Sequence, residues 1–192
     1  MNYLAHLYLA EDTPESILGN FLGDFVKGTG IHHYSDSIKK GIDTHRKVDA
    51  FTDLHPVFKE SKRLICDRNR RYAGVIVDIF YDHFLAKNWS EYSHVSLLEF
   101  SLKVSRIFKE HNLILPETLR SNVLSLGLEK LLMSYANIEG INKSLQKVSQ
   151  RSKRETQLES SVDDLINNYE ELESNFSKFF PDLVEYTYSL NC

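Results

Sequence analysis

Apolar positions recur along most of this chain three or four residues apart, the spacing of a helix face, and period-two alternation is confined to the short stretch Tyr3 to Leu9. Start and stop signals divide the helical pattern into segments. Thr13-Pro14 reads as an N-cap followed by a proline at the first helical position, and Gly28 and Gly30 close that segment. Ser35 or Asp36 caps a second helix running to about Phe51, and Pro56 opens a third that ends near Cys66. Tyr72 to Lys87 is a strongly apolar fourth, stopping before Asn88-Trp89-Ser90. Further helices are expected from about Val95 to His111, from Pro116 to Tyr135, from Ile138 to Val148, and from about Glu155 to Ser189 with a break near Pro181. No solenoid-length repeat and no low-complexity linker interrupts the series, so the expected fold is all-α, a single-domain helical bundle over residues 1–192.

Composition agrees with a globular protein: of 192 residues, 42% are apolar and 26% charged, enough apolar chain to bury a core without disulfides or a structural metal. Cys66 and Cys192 fit neither a disulfide framework nor a thiolate zinc site, which favours a reducing cytoplasm. The apolar start lacks a basic region and a cleavage site, and no run is long enough to span a bilayer, so secretion and membrane insertion are not expected.

Charge is uneven. Residues 155–192 carry nine acids and one base, whereas residues 143–154 carry five bases and no acid. That basic run is either a solvated helix face or a surface for an anionic partner. Nucleic acid is not the expected partner, because the chain is acidic as a whole, with net charge −4, and carries no recognition motif.

Between Ala73 and Tyr81 every residue is apolar or glycine except Asp78. A carboxylate in such surroundings must be neutral, paired with a cation or bound to a metal. Asp82 follows one turn later on the same face and His83 next to it, so three ligand-competent groups fall within six residues. The competing reading pairs Asp78 with Arg46 or Arg71 and leaves Asp82 and His83 at a solvent edge. His45, Asp49 and Asp53 share a second helix face, with Arg46 beside them, a set that suits a hard or borderline divalent ion and a phosphate oxygen, or else a solvated stripe. Asp24 interrupts Leu22-Gly23-Asp24-Phe25-Val26, and His6 interrupts an apolar run that should turn its side chain inward. Glycine-rich phosphate loops, serine elbows and paired-cysteine motifs are absent.

The strings Met1-Asn2-Tyr3-Leu4-Ala5-His6-Leu7, Gly19 to Val26, Gly41 to Asp49 with Thr52-Asp53, and Asp78 through Asp82-His83-Phe84-Leu85 resemble the bacterial acyl carrier protein phosphodiesterases nearly end to end. The resemblance implies an all-helical relative of the HD phosphohydrolases holding a divalent metal, commonly Mn²⁺, with Mg²⁺ or Fe²⁺ as alternatives. It also implies hydrolysis of the phosphodiester between 4'-phosphopantetheine and a serine of holo-acyl carrier protein. No literal His-Asp doublet occurs; Asp82-His83 is the reverse order. On that resemblance Asp24, His45, Asp78 and Asp82 are the expected ligands, His6 and His83 further ones, and Arg46 a phosphate clamp. Asp49 and Asp53 would orient ligands or activate water. Arg70, Arg71, Lys147, Arg151 and Arg154 would dock the acidic carrier. Alternatives at this point are an HD-type hydrolase of a nucleotide or other small phosphodiester, and a non-catalytic helical binding protein.

Overall fold

The computed structural model describes residues 1–117, 119–120, 127–152 and 156–190. Among them there is no strand. The helices are α1 (Tyr3–Tyr8), α2 (Pro14–Leu22), α3 (Asp36–Leu54), α4 (Pro56–Arg63), α5 (Ala73–Lys87), α6 (Trp89–Tyr92), α7 (Leu97–Glu110), α8 (Leu128–Ser134), α9 (Ile138–Arg151), α10 (Val162–Asn167) and α11 (Tyr169–Ser189). Short 3₁₀ turns at Gly28–His33, Asp67–Tyr72, Asn112–Ile114 and Leu158–Ser161 connect them.

Local chemistry explains the starts. Thr13 accepts from the Ser16 N–H ahead of Pro14, Ser35 accepts from Ile38, and Ser96 with Glu99 forms a reciprocal capping box on α7. The central α5 is buried on nearly every side, which is why its sequence lacks an amphipathic stripe. Against it lies α11, whose Phe176 and Phe179 surround Tyr81 at ring distances of 5.4 and 5.3 Å. The polar tip of Tyr81 meets Ser61 of α4 at 2.8 Å, and Asn175 donates to the same Ser61 oxygen. On the other side α2 crosses α3 at Gly19 and Gly41; a Cβ on Gly19 would stand 2.8 Å from the Gly41 Cα, so only glycine permits this approach.

Four expectations change. Tyr3–Tyr8 is a helix and not an extended stretch, because a carboxylate from α5 accepts its first free N–H groups. The helix from Pro14 stops at Leu22 rather than near Gly28, and the chain then turns through Gly23 and Asp24. Pro181 lies inside a continuous α11, on its exposed face, where water can serve the carbonyl that proline leaves without a donor. The interruption falls instead at Asn168, whose side chain donates back to the Asp164 carbonyl. The middle of the expected Pro116–Tyr135 helix, together with Arg154, Glu155 and Cys192, lies outside the described residues, and α8 begins after Gly127 at φ +64°.

Candidate functional site

Four segments converge on one acidic pocket of about 190 Å³, lined by Met1, Asn2, Asp24, Asp49, Thr52, Asp53, Val75 and Asp78. His6 of α1 reaches the lining residue Asp49 from the buried side, as His45 does, and the turn after α2 contributes Asp24 to the lining. From α3 come His45 and Asp49, one turn apart, and from α5 comes Asp78. A glycine at 23 is required here, since any Cβ would enter the His45 ring.

Asp49 is the hub. Its Oδ1 lies 3.1 Å from His6 Nε2 and from the amino group of Met1, and its Oδ2 lies 3.1 Å from His45 Nε2. Asp24 Oδ1 faces the same His45 nitrogen at 3.4 Å, and Asp78 Oδ1 lies 3.1 Å from the Met1 amino group. The His6 and His45 rings stack at 3.7 Å. His45 Nδ1 lies 2.7 Å from the Asn20 carbonyl oxygen, and because a carbonyl only accepts, the proton sits on Nδ1. Nε2 is thereby the nitrogen turned toward the carboxylates.

Burial lowers the His45 pKa, but Asp24 and Asp49 outweigh it and raise the imidazole to about 9. Burial pulls His6 down to about 4, so the two stacked rings do not both carry a positive charge. Burial raises both Asp24 and Asp49, yet their histidine partners prevail and hold each below the usual carboxylate range, Asp49 far below. Burial also lowers the Met1 amino group, which Asp78 and Asp49 nevertheless lift to about 11. Asp78 itself stays raised, chiefly by burial.

Donor atoms of His6, His45 and Asp49 lie within 4.8 Å of one another, close enough to share one ion. Imidazole plus carboxylate suits a borderline divalent metal, and three observations fit that group. The Asn20 carbonyl presets the His45 tautomer, as a metal-binding histidine needs. His6 Nδ1 is buried without a partner. The carboxylates of Asp24 and Asp78 add negative charge beside the three donors.

The structure brings together His6, Asp24, His45 and Asp78 of the expected residues, and adds Asp49 as the central one. It takes Asp82 and His83 away. Both Asp82 oxygens are occupied by the backbone N–H groups of Leu4 and Ala5, at 2.8 and 3.0 Å, so Asp82 anchors the start of α1 from behind the site. Burial, opposed by those two donors, raises its pKa to about 7. His83 points elsewhere, with Nδ1 2.8 Å from the Tyr135 carbonyl and Nε2 2.8 Å from the Tyr169 hydroxyl. Asp78 meets an amino group rather than Arg46 or Arg71. Arg46 is exposed and spends one Nη2 donor on the Val26 carbonyl at 2.9 Å. Asp53 lines the pocket and lies 3.8 Å from Lys62.

Of the expected docking residues, Arg70 is tied to Asp67 and the Lys62 carbonyl, while Arg71, Lys147 and Arg151 are exposed and Arg154 lies outside the described residues. Tyr72 and Ser152 hydroxyls meet at 3.0 Å, which joins the end of α9 to the turn before α5, and Arg151 lies beside the Tyr3 hydroxyl of α1. A larger cavity of about 510 Å³, between Tyr8, Glu11, Asp12 and Val184, shares no lining residue with the cluster and is itself acidic.

Fold and site together define a class: all-helical proteins whose pocket gathers imidazole and carboxylate donors from separate helices. Within it, the family model described as acyl carrier protein phosphodiesterase matches residues 1–183, and the chain belongs to that family. Relatives named acyl carrier protein phosphodiesterase include one from Serratia proteamaculans, 33% identical over 96% of each chain. Another from Yersinia enterocolitica is 35% identical, and one from Escherichia coli O6:H1 is 32% identical, each again over 96% of both chains. No solved structure matches the chain.

Proposed function

We propose that this protein hydrolyses the phosphodiester between 4'-phosphopantetheine and the carrier serine of holo-acyl carrier protein, and does so in the cytoplasm with Mn²⁺, or Mg²⁺ or Fe²⁺ in its place. The observation carrying the reading is the meeting of His6, His45 and Asp49 within 4.8 Å in a chain of this family. Those three would hold the ion, with Asp24 and Asp78 at its border. A bound divalent ion supplies a lower pKa for coordinated water and neutralises charge on the phosphoryl oxygens.

The remaining roles belong to the chain. Asn20 fixes the His45 ring so that Nε2 faces inward. Asp49 engages both imidazoles at once, and a change of its tilt would move both. Asp78, whose Oδ1 lies 3.1 Å from the Met1 amino group, would hold that cation at the pocket wall, where it can face a phosphoryl oxygen. Arg46, held by Val26, keeps its other donors for a non-bridging phosphate oxygen. Arg71 and Arg151 provide positive charge for the acidic carrier, supported by the exposure of both and by the Tyr72–Ser152 contact that joins the segments carrying them.

The test is mass spectrometry of purified holo-carrier incubated with this protein and Mn²⁺. Loss of the prosthetic-group mass, abolished by excess chelator, is expected. An intact holo mass after prolonged incubation with the metal-loaded protein overturns the proposal.

A further inference from the structure

A second cavity is lined by the residues that directly follow Asp24. About 320 Å³ in volume, it lies between the stretch Phe25, Val26, Lys27, Gly30, His33 and Tyr34 and the segment Ile114, Leu115, Pro116. Its size falls within the range of small-molecule sites. The two cavities share one turn: Asp24 lines the first and Phe25 with Val26 the second, consecutive residues whose Cα atoms are about 3.8 Å apart. Both Phe25 and Val26 donate back to the Leu22 carbonyl at 2.9 Å, and Arg46 clasps the Val26 carbonyl from α3. Ring contacts at 5.3 and 6.3 Å fix Phe21 and Phe25 against Tyr3. The turn that lines both cavities is thus tied to the helices that carry His6 and His45.

We propose that this groove receives the pantetheine arm of the substrate while its phosphate sits at the cluster. The inference rests on the function proposed above. The arm is a thin chain with geminal methyls, two amides and a terminal thiol, and the lining alternates accordingly. Phe25, Val26, Ile114, Leu115 and Pro116 offer apolar contact, and Lys27, His33 and the Tyr34 hydroxyl offer donors for amide carbonyls. A groove lined by the residues that follow Asp24 lets the arm leave the phosphate along that turn. The larger cavity near Glu11 and Asp12 has no such adjacency.

Gly30 gives a clean test, since a Cβ there would meet nothing closer than Val26 Cγ1 at 3.8 Å and its φ is not of the left-handed kind. Gly30→Trp should fill the groove without disturbing the backbone, and Ile114→Trp should do so from the opposite wall. Three readouts are compared in the Mn²⁺-loaded protein: hydrolysis of holo-carrier, hydrolysis of bis(4-nitrophenyl) phosphate, which has no arm, and calorimetric binding of free 4'-phosphopantetheine. Expected is at least a tenfold rise in KM for holo-carrier and a tenfold weaker Kd for the free arm, with the small diester changed less than twofold. Unchanged KM and Kd in both folded variants overturn the groove, as does an equal loss on holo-carrier and small diester. Tight arm binding that Gly30→Trp weakens, in a parent that leaves holo-carrier intact, keeps the groove and removes the hydrolytic reading instead.

Discussion

His45 keeps its proton because two carboxylates face one ring nitrogen, and this fixes the sign of a pH effect. Its pKa is about 9 in the folded chain against 6.5 unfolded, so its contribution to stability is complete below pH 6.5 and is lost as pH rises through 9. The Met1 amino group, near 11 folded against 8.0 unfolded, adds a loss of the same sign that begins only above pH 8. In metal-free protein the melting temperature should therefore fall from pH 6.5 upward. Replacing His45 by Gln should flatten the part below pH 8, a difference of order 2 kcal/mol at most. Melting curves in excess chelator across that range decide it; identical slopes for the two proteins would remove the imidazolium from the account. Asp49 carries a separate expectation. As the group meeting both imidazoles it should act as a ligand, so Asp49→Asn is expected to weaken Mn²⁺ binding by more than about 100-fold, beyond what orienting groups usually contribute. Asp53→Asn, whose carboxylate lies by Lys62, should cost less than tenfold. Equal effects in a direct Mn²⁺ titration would contradict the ranking.

At the scale of elements, the decisive joint is α1 on α5. A six-residue helix is too short to persist alone, and Asp82 holds it by accepting two of its otherwise unserved N–H groups in the core. Asp82→Ala should strand both donors and destabilise the fold by about 2–4 kcal/mol, measured by urea unfolding. Activity should fall because His6 rides on α1, yet a folded variant should bind Mn²⁺ with an affinity far closer to the parent than Asp49→Asn does. A loss of metal as complete as that of Asp49→Asn would restore Asp82 to the ligand set. This joint also explains what the sequence conceals. The helical framework was legible from caps, prolines and apolar periodicity, since those are local. Asp82 and Asp78 lie four residues apart on one helix with the same local appearance, and only the long-range docking of α1 gives them different work. Likewise Asp49 was visible at the right spacing from His45, but its rank over Asp53 depends on where His6 arrives, 43 residues away in sequence. The alternation in Tyr3 to Leu9 misled for the same reason: its helix is imposed by a carboxylate from another element.

Taken as a whole, the molecule separates its charges by task. Residues 155–192 are strongly acidic, while exposed Arg71 and Arg151 sit on segments joined by the Tyr72–Ser152 contact near the helix that carries Asp78. An acidic substrate approaching the acidic pocket on its own would be repelled; a basic flank beside it supplies attraction at the stage of encounter and leaves the chemistry to the interior. Such steering acts over the screening length, about 10 Å at 0.1 M salt, and fades as salt is added. For the double variant Arg71→Glu with Arg151→Glu, the expected result is a KM for holo-carrier raised about tenfold or more at low ionic strength. Its dependence on salt should be shallow or reversed, with kcat and the hydrolysis of a small neutral-armed diester within twofold of the parent. The small diester separates docking from damage, because a disturbed cluster would slow both substrates alike. A KM that stays at the parental value across the salt series would mean that the carrier approaches by another face, and that the basic flank is only the solvated side of α9.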